Sequence, residues 1–233
     1  MAVRVEFQRE LQELHEQIIR MGAAVEQAIG LAVEALVNLD VELAQQVIEG
    51  DDVIDEMERE IDRNCVRLIA LQQPVARDLR DVTANLKLIT DLERIADHAT
   101  DICQAVKTLV KATYEFSIPH DVVVLADMTR RMLKAALDSY VNRDKNQAEE
   151  TIRMDRQINK LYRQLKRYFV HQIEIDRENV AQLIDLLLIA KHFERAGDHA
   201  QNVAEWVIYF IEGRHAIYEE EEARHVEKTD SHR

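Results

Sequence analysis

Turn-forming residues are scarce in this chain of 233 residues, which contains only 5 glycines and 2 prolines. Sheets, hairpins and Rossmann-type loops need such residues, so their scarcity argues against strand-rich folds and favours long helices joined by few loops. No glycine-rich loop that could cradle a phosphate group is present, which argues against nucleotide binding of that kind. Because 47% of the residues are hydrophobic, the helices can still bury a substantial core.

Positive charge is also in short supply, with 30 Lys and Arg residues against 44 Asp and Glu residues and a net charge of −14. Proteins that bind duplex nucleic acid or anionic lipid usually present a basic face. We therefore expect no nucleic-acid partner and no electrostatic docking on lipid. An acidic chain favours cations or basic protein surfaces as partners instead.

The two cysteines, Cys65 and Cys103, form no CxxC pair and sit among apolar residues with helical spacing. This context predicts buried free thiols in a reducing compartment. The first residues, MAVRVEFQRE, lack the apolar region of a signal peptide. The longest apolar stretch, 183–190, is broken by Asp185 and too short to cross a bilayer. These features predict a cytoplasmic protein without direct membrane insertion.

Apolar residues recur at helical spacing and predict six main helices. The seam of the first helix consists of Phe7, Leu11, Leu14, Ile18, Met21, Val25, Ala28 and Ala32, and that of the second consists of Val47, Ile54, Ile61 and Leu68. Both seams are typical of helices in a bundle. Asp40 and Asp144 are predicted N-caps of the second and fifth helices. Pro74 suits the first turn of the third helix, which should end near Lys111.

The two halves of the chain repeat each other. NLDVELAQQVIEGD (38–51) aligns with NRDKNQAEETIRMD (142–155), and LERIADHATDICQAV (92–106) aligns with FERAGDHAQNVAEWV (193–207). A shift of three residues between the two alignments falls in loops, where it costs little free energy. Two repeats of about 100 residues favour an all-α fold of two tandem three-helix bundles that arose by internal duplication.

The boundaries of the two bundles follow from breaks in this periodicity. We predict a first bundle over 1–113 and a second over 119–213, with a junction that contains Pro119. The helices of the second bundle are expected at about 121–143, 145–172 and 177–212. Residues 214–233 are acidic and aperiodic, and they predict a disordered tail.

Acidic side chains recur every four residues beside these apolar seams, in both repeats. The series are Asp51 and Asp55 in the second helix, Glu93, Asp97 and Asp101 in the third, Asp155 and Asn159 in the fifth, and Glu194, Asp198 and Asn202 in the sixth. Four residues advance a helix by about 400°, so each series lies near one face. Like charges so placed cost about 0.2–0.5 kcal/mol per pair.

Two kinds of partner could offset this repulsion. Arg94 and Arg195 each follow the first glutamate of a series and could neutralise it. Hard cations such as Mg²⁺, Mn²⁺ or iron, bound by carboxylates of two adjacent helices, would do the same. The pattern alone leaves both open. His98 and His199 occupy equivalent positions in the two repeats, and for them the sequence pattern favours a role in packing or in hydrogen bonds between helices.

At these residues the sequence resembles the PhoU family, over about residues 5–213. It carries that family's E(D)xxxD signature twice, as LERIADHATD and FERAGDHAQN, together with the GDHAQNVAEWVIY ending and the DDVIDEMEREID second helix. The resemblance implies two similar three-helix bundles with a multinuclear metal cluster on the acidic face of each. It also implies a negative regulator of phosphate uptake and of the phosphate-starvation response. The partners would be the phosphate importer's ATPase subunit and a phosphate-sensing histidine kinase, and dimers are common in the family.

The resemblance also assigns metal ligands. The first cluster would use Asp51, Asp55, Glu93, Asp97 and Asp101, and the second Asp155, Asn159, Glu194, Asp198 and Asn202, with Fe, Mn, Mg or Zn as the metal. The amides of Asn159 and Asn202 bring no charge, so tighter binding is expected at the first cluster.

Two other functions stay open at this point. A carboxylate-bridged metalloenzyme would need an acid–base partner and a sheltered pocket. The sequence displays no Ser/His/Asp, Cys/His or zinc-protease pattern, so a non-enzymatic regulator is favoured. The third possibility is a scaffold whose acidic faces bind basic partner surfaces without metal.

Overall fold

The computed structural model describes residues 2–111 and 117–213, which form six α-helices and no strand. The helices are α1 Ala2–Asn38, α2 Val41–Gln72, α3 Arg77–Leu109, α4 His120–Asn142, α5 Lys145–Ile175 and α6 Val180–Glu212. The predicted all-α fold is confirmed. The predicted tail, 214–233, lies outside the described residues.

The six helices form two three-helix bundles that lie side by side. Helices α1 to α3 pack together in the first bundle and α4 to α6 in the second. The bundles join where α3 packs along α6, which is the most extensive contact between any two helices, and where α1 meets α4. Helices α2 and α5 therefore lie on the outside. In the described part of the chain, no helix combines the length and apolar character that a bilayer span requires.

The predicted apolar seams form the core. The twelve seam residues of α3 and α6, which match across the repeats, are all buried: Leu88, Leu92, Ile95, Ala99, Ile102, Val106, Ile189, Phe193, Ala196, Ala200, Val203 and Val207. The heptad positions of α2 are buried as well. In the seam of α1, only Leu11 and Ala28 are half-buried. A single hydrophobic cluster runs through both bundles.

Both predicted N-caps are confirmed. The Asp40 carboxylate accepts a hydrogen bond of 2.9 Å from the backbone N–H of Leu43. Asp144 accepts hydrogen bonds from the backbone N–H groups of Asn146, at 2.9 Å, and Gln147, at 3.2 Å. These carboxylates satisfy N–H groups that have no partner within the first turn of a helix.

The prediction that Pro74 lies in the first turn of α3 is wrong. Gln73 adopts a left-handed conformation with φ of 47° and ends α2, and Ala76 has φ of 48° and ψ of −112°. These two residues with positive φ bracket Pro74 in a loop, so α3 begins only at Arg77. The other predicted helix bounds agree with the structure to within three residues.

The two cysteines are free thiols and have no solvent-exposed surface, as predicted. Burial raises the pKa of the Cys65 thiol and of the Cys103 thiol to about 12. Both thiols are therefore protonated at neutral pH, and a protonated thiol is a poor nucleophile.

We predict that the native protein reacts very slowly with a disulfide reagent at pH 7.5, and that two thiols react once it is unfolded in guanidinium. The absorbance of the released chromophore measures both. A Cys65→Ala variant serves as the control and should release half as much in denaturant. A thiol that reacts within seconds in the native protein would contradict the burial of these side chains.

Candidate metal centres

The first acidic face lies between α2 and α3, where Asp51 and Asp55 meet Glu93 and Asp97. Burial raises the pKa of Asp51, and repulsion from Asp55 and Asp97 raises it further. Burial also raises the pKa of Glu93, with repulsion from Asp97 and Asp55 as additional causes. These four carboxylates therefore act on one another across two helices. We call them the α2–α3 site.

Two arginines partly neutralise the α2–α3 site. Arg94 lies 3.4 Å from Glu93 and 3.0 Å from Asp97, and Arg59 lies 3.0 Å from Asp55, measured between guanidinium nitrogen and carboxylate oxygen. The side chains of both arginines are 55% exposed, and such exposed ion pairs contribute little stability. The neutralising role predicted for Arg94 is thus confirmed. Two guanidinium groups against four carboxylates nevertheless leave the α2–α3 site with a net negative charge.

A second acidic face lies between α5 and α6. Burial raises the pKa of Asp155, and repulsion from Glu194 and Glu205 raises it further. Asp198 lies at the exposed edge of this group, yet partial burial raises its pKa to about 6, with Glu194 and Asp155 as the next causes. We call Asp155, Glu194, Asp198 and Glu205 the α5–α6 site. Lys191 forms an ion pair with Glu194 at its side.

The α5–α6 site contains a carboxylate oxygen that lacks a partner. Asn159 donates a hydrogen bond of 2.6 Å to Oδ2 of Asp155. Oδ1 of Asp155 is buried and finds no hydrogen-bond partner among the described residues. A buried acceptor without a partner costs about 1–3 kcal/mol, and a bound cation would supply that partner. The residues present at this site therefore fit a hard metal ion.

Glu205 is a member of this site that the sequence pattern did not reveal. It is 7% exposed and accepts a hydrogen bond of 2.8 Å from the Gln201 side chain. Acidic residues that match across the repeats do not include it, because its counterpart in the first repeat is Gln104, which carries no charge. The helical spacing contained the signal, since eleven residues from Glu194 to Glu205 complete roughly three turns and return to the same face.

Asp101 and Asn202, predicted as the last ligand of each series, lie elsewhere. Both point into the interface between α3 and α6. An Asp101 oxygen lies 3.3 Å from Nδ1 of His192, and the Asn202 amide donates a hydrogen bond of 2.9 Å to Asp91. Each four-residue step overshoots a full turn by about 40°, so the third member of a series has rotated by about 80°. That rotation carries both side chains from the acidic face to the neighbouring repeat.

These contacts are related by an approximate twofold symmetry between the repeats. Asp91 and Asp101 of α3 occupy the positions equivalent to His192 and Asn202 of α6. The contact between Asp91 and Asn202 thus mirrors that between His192 and Asp101. The equivalent side chains of His98 and His199 face each other near the centre, with 5.6 Å between ring centroids.

Asp91 is the hub of this interface. Its buried carboxylate accepts hydrogen bonds from three α6 side chains: His199 at 2.8 Å, Asn202 at 2.9 Å and Trp206 at 2.9 Å. The predicted role of His199 in a hydrogen bond between helices is confirmed. Trp206 lies half-buried at the edge of the core, and its indole N–H donates the hydrogen bond to Asp91 in the other repeat.

Comparison with known proteins agrees with this architecture. A sequence model of the PhoU domain matches the chain twice, at residues 18–106 and 122–207. The chain belongs to the PhoU domain family. The resemblance inferred from the two E(D)xxxD signatures is therefore confirmed.

Relatives within the PhoU family match nearly the whole chain. The phosphate-specific transport system accessory protein PhoU homolog of Clostridium acetobutylicum is 38% identical over 209 residues, which cover 89% of this chain and 95% of the relative. The phosphate-specific transport system accessory protein PhoU of Escherichia coli is 35% identical over 214 residues, which cover 90% of this chain and 86% of the relative.

Two solved PhoU structures share the fold. The crystal structure of PhoU from Pseudomonas aeruginosa superposes with a TM-score of 0.87 at 34% identity and covers 89% of this chain and all of that one. The crystal structure of the phosphate transport system regulatory protein PhoU from Streptococcus pneumoniae gives a TM-score of 0.83 at 28% identity. The match covers 90% of this chain and 99% of that one.

We predict that Asp91→Ala lowers the free energy of unfolding by about 3 kcal/mol, because three donors of α6 would lose their charged acceptor. Urea denaturation followed by circular dichroism measures the loss. Asp62→Ala, which removes an exposed carboxylate from α2, is the matched control and should change stability by less than about 0.5 kcal/mol. Equal effects of the two substitutions would show that Asp91 does not hold the repeats together.

Proposed function

We propose that this protein is an accessory regulator of high-affinity phosphate uptake and a negative regulator of the phosphate-starvation response. The observation that carries the proposal is the match to phosphate-specific transport system accessory proteins over nearly the whole length of both chains. The duplicated PhoU domain and the superposition on two PhoU structures support it. The protein would act without catalysing a reaction.

The proposed partners are the ATPase subunit of the phosphate importer and a phosphate-sensing histidine kinase, reached at the cytoplasmic face of the membrane through protein contacts. The outer helices α2 and α5 are 32 and 31 residues long and offer broad faces for such contacts. Apolar side chains stand exposed on both, among them Val53, Val66 and Leu71 of α2 and Val170 of α5. The homodimer implied by the family resemblance stays a prediction, which light scattering of the purified protein would test.

We further propose that the α2–α3 and α5–α6 sites each bind hard metal ions, with Fe, Mn, Mg and Zn as the candidates. Raised pKa values of Asp51, Glu93, Asp155 and Asp198 reflect crowded, partly buried carboxylates that repel one another. A multivalent cation would relieve this repulsion and give the unpartnered oxygen of Asp155 a ligand bond. Bound metal would then stiffen each bundle or bridge its acidic face to a partner.

The positions of Asp101 and Glu205 change the expected difference in metal affinity between the two sites. The sequence suggested five carboxylates at the first and three at the second. Asp101 lies apart from the first site and Glu205 joins the second, while Glu58 adds its carboxylate beside Asp55 and Glu93. Arg59 and Arg94 offset two of the five carboxylates at the first site, and Lys191 offsets one of the four at the second. Since charge dominates affinity for hard cations, we expect the two sites to bind such ions with similar strength.

We predict that Glu205→Gln weakens Mn²⁺ binding at the α5–α6 site by about tenfold, and that Asp97→Asn weakens the α2–α3 site by a similar factor. Isothermal titration calorimetry of chelator-treated protein measures both. Glu60→Gln is the control, because it removes an exposed charge from α2 outside the two sites. The absence of any heat of binding, or equal affinities in all variants, would favour ion-paired faces without metal.

The regulatory role has a direct cellular test. We predict that deletion of the gene derepresses phosphate-starvation genes at high external phosphate, and that the wild-type chain restores repression. A reporter fused to a phosphate-starvation promoter measures the effect. Pull-down of the importer's ATPase subunit and of the kinase tests docking directly. An unchanged reporter together with failure to capture either partner would contradict the regulator, and phosphatase or oxidase turnover by the metal-loaded protein would favour the metalloenzyme.

A further inference from the structure

A second type of metal-ligating group lies between the two bundles, in a groove that Asp97 and Asp198 of the acidic faces also line. His98 and Asp101 of α3 meet His192 of α6. Nδ1 of His98 lies 3.4 Å from Nδ1 of His192, and an oxygen of Asp101 lies 3.3 Å from His192 Nδ1 and 3.7 Å from His98 Nδ1. Three potential ligand atoms thus form a nearly equilateral triangle.

The size of this triangle matches a tetrahedral metal ion. Zinc binds imidazole nitrogen at about 2.0–2.1 Å and carboxylate oxygen at about 2.0–2.2 Å. Ligand atoms of a tetrahedron are separated by roughly 1.6 bond lengths, which gives about 3.3–3.6 Å. The three measured separations are 3.4, 3.3 and 3.7 Å. Little movement of the side chains would therefore be needed to bind an ion.

We propose that His98, His192 and Asp101 bind one transition-metal ion of the zinc type, with a fourth position open to solvent. Two imidazoles and a carboxylate are a ligand set that zinc prefers, whereas Mg²⁺ and Ca²⁺ prefer oxygen ligands. The site differs from the α2–α3 and α5–α6 sites in its ligand residues and their chemistry, and it goes beyond the proposed regulatory function. Because its ligands come from both repeats, the ion would link the two bundles at their interface.

The imidazoles suit this role. A neutral imidazole binds a metal through the lone pair of a ring nitrogen. The side chains of His98 and His192 are only 10% and 23% exposed. Asp101 provides negative charge at the site, while Arg195 opposes a cation there.

An entry path is present. A groove of about 750 Å³ opens between α3 and α6 and is lined by both repeats, including His98, Asp101 and Arg195. The side chain of Asp101 is 52% exposed, whereas that of His98 is 10% exposed. A hydrated ion could thus reach Asp101 first and then exchange water for the two imidazoles.

Co²⁺ is the probe for this site, because tetrahedral Co²⁺ absorbs visible light far more strongly than octahedral Co²⁺. The titration uses the full chain in excess Mg²⁺, which occupies carboxylate-only sites and competes poorly for imidazole. We expect intense visible bands at one Co²⁺ per chain, and their loss on addition of one equivalent of Zn²⁺. His192→Gln and Asp101→Asn should each weaken binding at least about tenfold.

His171→Gln is the matched control, because His171 is an exposed histidine of α5. It should leave the spectrum and affinity unchanged. Asp101 is largely exposed, so Asp101→Asn keeps the test valid even if circular dichroism shows that His192→Gln fails to fold. Octahedral bands only, or affinities that are the same in wild type, Asp101→Asn and His171→Gln, would overturn the proposal. Neither outcome bears on phosphate regulation, which the deletion strain tests separately.

Discussion

The packing of α3 along α6 is the contact on which the rest of the structure depends. Each repeat has a buried apolar seam on its third helix, and α3 packs along α6 more extensively than any other two helices pack together. Side chains as large as Phe193 and Leu92 are fully buried there. Neither bundle could leave the other without exposing this surface to water, at about 25 cal/mol for each Å² of apolar area. The duplication thus yields one continuous core.

This central contact also determines where charge can lie. Once the seam of each helix is buried, the acidic side chains beside it face the outer helices α2 and α5. Carboxylates of Glu93 and Glu194 then meet those of Asp55 and Asp155, and the acidic sites form where α2 and α5 pack against the two central helices. The polar residues that rotate back toward the centre, such as Asp91 and His192, connect the repeats. Packing, charge and the proposed metal binding are therefore consequences of one helical register.

Most of the fold was predictable because helical periodicity and internal repetition are strong local signals. The seams of α3 and α6, the caps at Asp40 and Asp144, and the two-bundle layout all follow from residues close in sequence. The loop at Pro74 was not predictable, because the positive φ angles of Gln73 and Ala76 have no clear sequence signature. Neither residue is a glycine or an asparagine, the types that adopt positive φ most readily.

The candidate sites were only partly predictable, for reasons of geometry. Two residues that are four apart lie near the same face of a helix, but each interval of four residues overshoots a full turn by about 40°. After two intervals the rotation is about 80°, which turns Asp101 and Asn202 away from the predicted acidic face. Contacts between distant segments carry no local signal at all. The convergence of His192 on His98, 94 residues away, and the three hydrogen bonds to Asp91 emerge only when α3 and α6 are seen together.

We propose that the crowded carboxylates of the two acidic faces hold metal. Anomalous X-ray diffraction from crystals of the protein grown with Mn²⁺ tests it most directly. The account predicts anomalous peaks beside Asp51 and Asp97 in one bundle and beside Asp155 and Glu205 in the other, at similar occupancy. Diffraction that shows Arg94 still paired with Asp97, Lys191 still paired with Glu194 and no anomalous peak at either face would contradict it.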